Sequence, residues 1–138
     1  MIILDTNVVS EVMRSPSVGP VTTWMNGQPL NSLCTTAITV AEILHGIDLL
    51  PPGKRRNAVT ESFRNFVDRG FRSRILPFDA AAAAEYAAIK VHRQRLGHRV
   101  GNFDALIAAI ARSQHADIAS RDASGFADCG IGVINPWR

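Results

Sequence analysis

The sequence predicts a three-layer α/β/α fold with a mainly parallel central sheet. Two observations carry this prediction. Short apolar runs alternate with helical patterns from end to end, which is the signature of strands joined by crossover helices. The first run, Ile2-Ile3-Leu4, shows no polar alternation and stops at Asp5-Thr6-Asn7, as a strand covered on both faces does.

The elements follow in order. After the first strand, Val8 to Met13 reads as a short helix closed by Arg14-Ser15-Pro16. A second helix is expected from about Val18 to Met25, with Gly27 near its C-cap and Pro29 beyond. Leu33 to Thr36 is a second strand. Ile38 to Ile47 is a helix in which Thr39 and Glu42 have the spacing of a capping box. Pro51-Pro52-Gly53 breaks the chain, and Lys54 to about Arg69 reads as a helix with Val59, Phe63, Phe66 and Val67 on one face. Ile75 to Phe78 is a short strand, and Asp79 caps an alanine-rich helix from Ala80 to about Leu96 that Gly97 ends. Asn102 to Ala111 is almost wholly apolar and should be a central buried helix. Ile118 to Ser120 and Gly132 to Ile134 are the last strands, with Phe126 packing the segment between them.

A chain of 138 residues with 46% hydrophobic and 20% charged residues fits one domain, 1–138, with a core that needs no staples. Cys34 and Cys129 lack metal-ligand spacing and read as reduced, buried thiols. Asp5 interrupts the apolar start, and no basic region precedes it, so a signal peptide is not expected. No apolar run approaches the ~20 residues of a membrane span, and the expected location is cytoplasmic. Thirteen of the fifteen basic residues are Arg, a composition suited to phosphate, and the sequence pI of about 9.4 fits a polyanionic partner. The cluster Lys54, Arg55, Arg56, Arg64, Arg69, Arg72 and Arg74 is either a solvated face or a surface for RNA or a partner. Arg93, Arg95, His98 and Arg99 make a second basic stretch.

Four of the twelve acids stand in apolar settings: Asp5, Glu42, Asp104 and Asp122. Two follow strands, and two are expected in the first turns of helices. Such positions can converge on one edge of an α/β sheet, where open α/β folds build their sites. Each acid has a plain alternative: Asp5 as an N-cap, Glu42 as the partner of a capping box. Four together repel one another and call for a divalent cation. Carboxylate oxygens suit Mg²⁺ or Mn²⁺. The histidines at 45, 92, 98 and 115 have no zinc spacing, and His45 reads as an ordinary residue near a helix end. Thr6 and Ser120 offer hydroxyls that orient a carboxylate or cap a turn.

Taken together, Ile3-Leu4-Asp5-Thr6-Asn7-Val8, Ile38-Thr39-Val40-Ala41-Glu42-Ile43-Leu44-His45-Gly46, Phe103-Asp104-Ala105-Leu106-Ile107-Ala108-Ala109-Ile110-Ala111 and Ile118-Ala119-Ser120-Arg121-Asp122-Ala123-Ser124-Gly125-Phe126 resemble PIN-domain ribonucleases, in particular VapC-type toxins and their FitB-like branch. The closing Val133-Ile134-Asn135-Pro136-Trp137 matches as well. The resemblance implies a metal-dependent endoribonuclease with Asp5, Glu42, Asp104 and Asp122 lining an Mg²⁺ or Mn²⁺ site, Ser120 beside it, and RNA as substrate. Ser120 replaces a more frequent Thr, and Asn102-Phe103 replaces small residues. It also implies a homodimer, with the first helices and the Tyr86–Ile89 region as candidate faces. A VapB-type antitoxin with a DNA-binding domain would be the partner, its chain lying near Val8–Met13 and Ile43–Leu50. A catalytically silent PIN domain that binds RNA or protein is the alternative. Phosphatases resembling haloacid dehalogenases are disfavoured because Asn7 stands where they carry a second acid. Receiver domains are disfavoured because no acidic pair precedes Asp5.

Overall fold

The computed structural model describes residues 1–14, 19–99 and 101–138. Five strands form one sheet: β1 (Ile2–Leu4), β2 (Leu33–Thr36), β3 (Ile75–Leu76), β4 (Asp117–Ala119) and β5 (Val133–Ile134). Their order is β3-β2-β1-β4-β5, and every neighbouring pair is parallel. Six helices connect them: α1 (Thr6–Arg14), α2 (Pro20–Asn26), α3 (Ala37–Asp48), α4 (Lys54–Phe66), α5 (Ala80–Arg95) and α6 (Asn102–Ser113).

Consecutive strand residues face opposite sides, and in β1 both sides are apolar. Ile3, Cys34 and Ile118 enter one core with Ala82, Ile89, Ile107 and Phe126. Leu4, Leu33 and Ala119 enter the other with Val8, Val21, Ile43, Phe63 and Phe66. Helices α5 and α6 therefore cover one face and α1 to α4 the other, which is the three-layer arrangement the sequence predicts. The face Val59, Phe63, Phe66 and Val67 meets the second core as expected.

Several boundaries differ from the sequence reading. Helix α1 begins at Thr6, because the Asp5 carbonyl already accepts the N–H groups of Val8 and Val9 at 3.0 and 3.1 Å. The expected start of α2 at Val18 lies outside the described residues, as do Ser15 and Pro16. Helix α3 is capped by Thr36, whose hydroxyl accepts the Thr39 N–H at 3.1 Å. The capping box between Thr39 and Glu42 does not form, and Glu42 sits in the second turn rather than the first. Helix α4 ends at Phe66 and continues as a wide turn, Val67–Phe71, that Gly70 permits with φ 148°. Strand β3 stops at Leu76, and Asp79 caps α5 through the Ala82 N–H at 3.0 Å.

Two expectations about surface side chains are overturned. Arg93 and Arg74 do not join a basic face: Arg93 is buried and donates to the carbonyls of Ala127 and Arg99, and Arg74 donates to those of Leu30, Leu33 and Gly70. Ile89 is fully buried, so it offers no dimer contact; Tyr86 is half-buried and packs edge-on to Phe78.

Candidate metal centre at the carboxyl edge of the sheet

Strand order reverses at β1, whose two neighbours β2 and β4 lead the chain to opposite sides. A crevice opens at such a switch point beyond the strand carboxyl ends. Asp5 follows β1 there, and Ser120 and Asp122 follow β4. The Asp5 N–H donates to the Ala119 carbonyl at 3.0 Å, and the Ser120 N–H to that of Ile134 at 2.9 Å, so the ladder holds both segments rigidly.

Asp5 is 5% exposed. Its Oδ1 accepts the Thr6 N–H at 2.8 Å. Its Oδ2 accepts the Ser120 hydroxyl at 2.7 Å and the Asn7 amide at 3.4 Å. Asp5 thus immediately precedes α1, its carboxylate taking the Thr6 N–H on one oxygen and joining β1 to β4 through Ser120 on the other. The positive end of the α1 dipole favours its charge. Burial nevertheless raises its pKa above the usual carboxylate value, offset by the Ser120 and Thr6 hydrogen bonds and reinforced by the charge of Asp122.

Glu42 reaches the same edge from α3 and accepts the Thr6 hydroxyl at 2.8 Å. Burial raises its pKa, the Thr6 bond lowers it, and the Asp5 charge raises it. Thr36 and Thr39 continue this hydroxyl chain behind Thr6, at 3.4 and 3.3 Å. Asp104, in the first turn of α6, is half-buried. Burial pushes its carboxyl up to about 6, helped by the charges of Asp5, Asp122 and Glu42. Asp122 is exposed, and its Oδ1 accepts the Ser124 hydroxyl at 2.8 Å and the Gly125 N–H at 3.1 Å. Its own N–H donates to Ser120 Oγ at 3.0 Å.

Ser120 therefore touches Asp5, Asn7 and Asp122, and it is fully buried. Two further residues belong here that the candidate set omits. Asn7 links Asp5 to β4, its amide donating to Ser120 Oγ at 3.2 Å and its oxygen accepting the Arg121 N–H at 3.2 Å. Gly125 lies against two acids: a Cβ on it would stand 2.7 Å from Asp122 Oδ2 and 2.9 Å from Asp104 Oδ2. The motif offers one signal for it, a glycine three residues after an acid. His45 is exposed and plays no part in this network.

The charges of Asp5, Asp122 and Glu42 all act on Asp104, yet among the described residues no group of three His, Cys, Asp or Glu is placed to hold a metal ion by itself. The donor set still fits a hard cation. Mg²⁺ retains several waters and takes one or two carboxylates with substrate phosphate, rather than a full protein cage.

Residues 2–130 match the family model described as PIN domain. The chain is 37% identical over 138 residues, all of its own length and 99% of the relative's, to VapC ribonuclease Y4jK of Sinorhizobium fredii. It is 38% identical over the same span, with 99% of the relative covered, to Toxin FitB of Neisseria gonorrhoeae. Among solved structures, that of FitAB bound to the IR36 DNA fragment superposes with a TM-score of 0.90 at 38% identity, covering 100% of this chain and 96% of that one. In fold and along its length, this chain belongs to the PIN-domain family, in the branch that holds the VapC and FitB proteins.

Proposed function

We propose that this protein is a Mg²⁺- or Mn²⁺-dependent endoribonuclease and the toxin half of a VapBC-type toxin–antitoxin pair. The observation that carries the reading is the convergence of four acids from separate segments: Ser120 joins Asp5 to Asp122, Thr6 joins Asp5 to Glu42, and Gly125 lies between Asp122 and Asp104. Asp5, Glu42 and Asp104 would hold the cation, with Asp122 beside them. Bound there, such a cation would supply Lewis acidity toward a phosphate oxygen and toward a water. The chain's own contribution is orientation. Ser120 and Asn7 fix the Asp5 carboxylate, Thr6 fixes Glu42, and Gly125 leaves room for Asp104 and Asp122 to approach.

An inhibitor of such a site needs a cation to pair with the acids and an apolar surface to lie on. A groove of about 510 Å³ runs between α1, α3 and α4, lined by Ser10, Met13, Ile43, Ile47 and Val59, and it opens on Thr6 and Glu42. It coincides with the segments expected to receive an antitoxin chain. The relative in the DNA-bound FitAB complex supports a partner that itself carries a DNA-binding domain. Single-stranded RNA should be cut by the purified protein with Mn²⁺ or Mg²⁺ and not with EDTA. Expression of the chain alone should arrest growth, and co-expression of the antitoxin should restore it. RNA bound but left uncut with either ion would replace the enzyme by a binding module.

A further inference from the structure

Most arginines of this chain are already engaged. Arg14, Arg56, Arg64, Arg72 and Arg112 pair with Glu11, Asp48, Glu61, Asp68 and Glu85, while Arg74 and Arg93 serve backbone carbonyls. Arg121 differs. It stands between Ser120 and Asp122, and its backbone N–H is fixed to Asn7. Its side chain is exposed, and among the described residues it forms no ion pair, although Asp122 follows it directly. Its Cζ lies 4.0 Å from the centroid of the Trp137 ring instead.

Trp137 is well placed to hold it. The ring packs against the core beneath α1 to α4. The C-terminal turn is tied by the Trp137 N–H to Asn135 Oδ1 at 3.0 Å and the Arg138 N–H to the Asn135 carbonyl at 3.2 Å. A guanidinium on an aromatic face is attracted by the ring yet keeps its in-plane N–H fork for a second partner.

We propose that Arg121 grips a backbone phosphate of single-stranded RNA beside the acidic edge, and that Trp137 holds its guanidinium ready for that contact. The inference rests on the nuclease reading and adds to it a specific substrate-binding residue and its support. The contact is to phosphate, so it sets affinity and register rather than base choice.

The test measures binding of a fluorescein-labelled single-stranded RNA by anisotropy, in EDTA so that nothing is cut, from about 50 to about 200 mM salt. Arg121→Gln should weaken binding about tenfold at low salt, as loss of a charged hydrogen bond does. It should also make the salt slope shallower by about 0.7. Arg121→Lys should recover the slope without full affinity. Trp137→Leu, checked for a cooperative melt, should lose affinity with the slope kept. Arg64→Gln, on α4 and paired with Glu61, controls for bulk charge and should lose less affinity than Arg121→Gln. Arg121→Gln binding like the wild type, or no worse than Arg64→Gln, overturns the proposal while leaving the nuclease reading intact. A wild-type protein that neither binds nor cuts RNA overturns both. Should Trp137→Leu fail to fold, Trp137→Phe with Arg121 affinity unchanged supports the stack, and a tenfold loss in that variant refutes it.

Discussion

Replacing Asp104 by Asn should stabilise the metal-free protein at neutral pH. The carboxyl rises from 3.8 to about 6 on folding, because burial and the charges of Asp5, Asp122 and Glu42 disfavour its ionised form. Below 3.8 both folded and unfolded chains hold the proton, and the group is neutral to stability. Between 3.8 and about 6 the folded state keeps a proton that the unfolded state has released, so stability falls as pH rises. Above about 6 the penalty is complete. At about 1.4 kcal/mol per decade its ceiling is about 3 kcal/mol. The side chain is half-exposed and screened by water, so about 1 kcal/mol is the expected gain in Asp104→Asn. For a chain of this length that is about 4 °C in melting temperature. The assay is thermal unfolding by circular dichroism in EDTA, for both proteins, at about pH 7.5 and about pH 4. The variant should melt higher at the first pH, and the gap should shrink at the second. With Mn²⁺ at about a hundred times its Kd, the wild type should gain about 2.7 kcal/mol by linkage, and Asp104→Asn much less. A variant that melts lower than the wild type in EDTA at neutral pH, or a gap unchanged between the two pH values, refutes the electrostatic account of this site.

The remaining predictions concern the supports and the assembly. Gly125→Ala should abolish RNA cleavage with the fold intact, since its Cβ would strike Asp122 and Asp104 at 2.7 and 2.9 Å; wild-type turnover would show that those acids need not approach. Ser120→Ala should lower stability by about 1–3 kcal/mol in urea unfolding, because Asp5, which is 5% exposed, loses its closest hydroxyl donor. A loss under about 0.5 kcal/mol would mean that Asn7 and the Thr6 N–H suffice. Light scattering should give a dimer mass at tens of micromolar, and a monomer mass there would remove the expected pairing.

The elements were legible where burial imposes a pattern. Ile2-Ile3-Leu4 reads as a doubly covered strand, and Ile3 and Leu4 do enter different cores. The four acids stood out because charge in an apolar run needs a reason. Helix starts were less legible. Thr36 and Thr39 are both good caps, and the end of β2, which is decided by pairing with β1 and β3, selects Thr36. That choice moved Glu42 from a cap to a side chain aimed at Thr6. From sequence Asn7 reads as a residue that caps the next helix or orients a ligand; its bonds to Ser120 and Arg121 span more than a hundred residues and are set only by the fold. The burial of Arg93 is not legible for the reverse reason: it lies in a basic stretch at a helix end, and the carbonyls of Ala127 and Arg99 that receive its guanidinium are brought to it only by the fold.

The same feature makes the site costly when empty and selective when filled. Burial raises the pKa of Asp5, Glu42 and Asp104 alike, and mutual repulsion adds to each. A cation at this edge, whether the proposed metal ion or an inhibitor's guanidinium, would offset the repulsion and part of the burial penalty. The two would then compete for one electrostatic deficit. The chain's own Arg121 would cancel that deficit permanently if it folded inward. Its guanidinium instead lies 4.0 Å from the centroid of the Trp137 ring, which packs against the core, and it forms no ion pair with the acids among the described residues. The arrangement separates two roles that arginine could otherwise confuse, cation for the acids and fork for the phosphate, by assigning this one to the second.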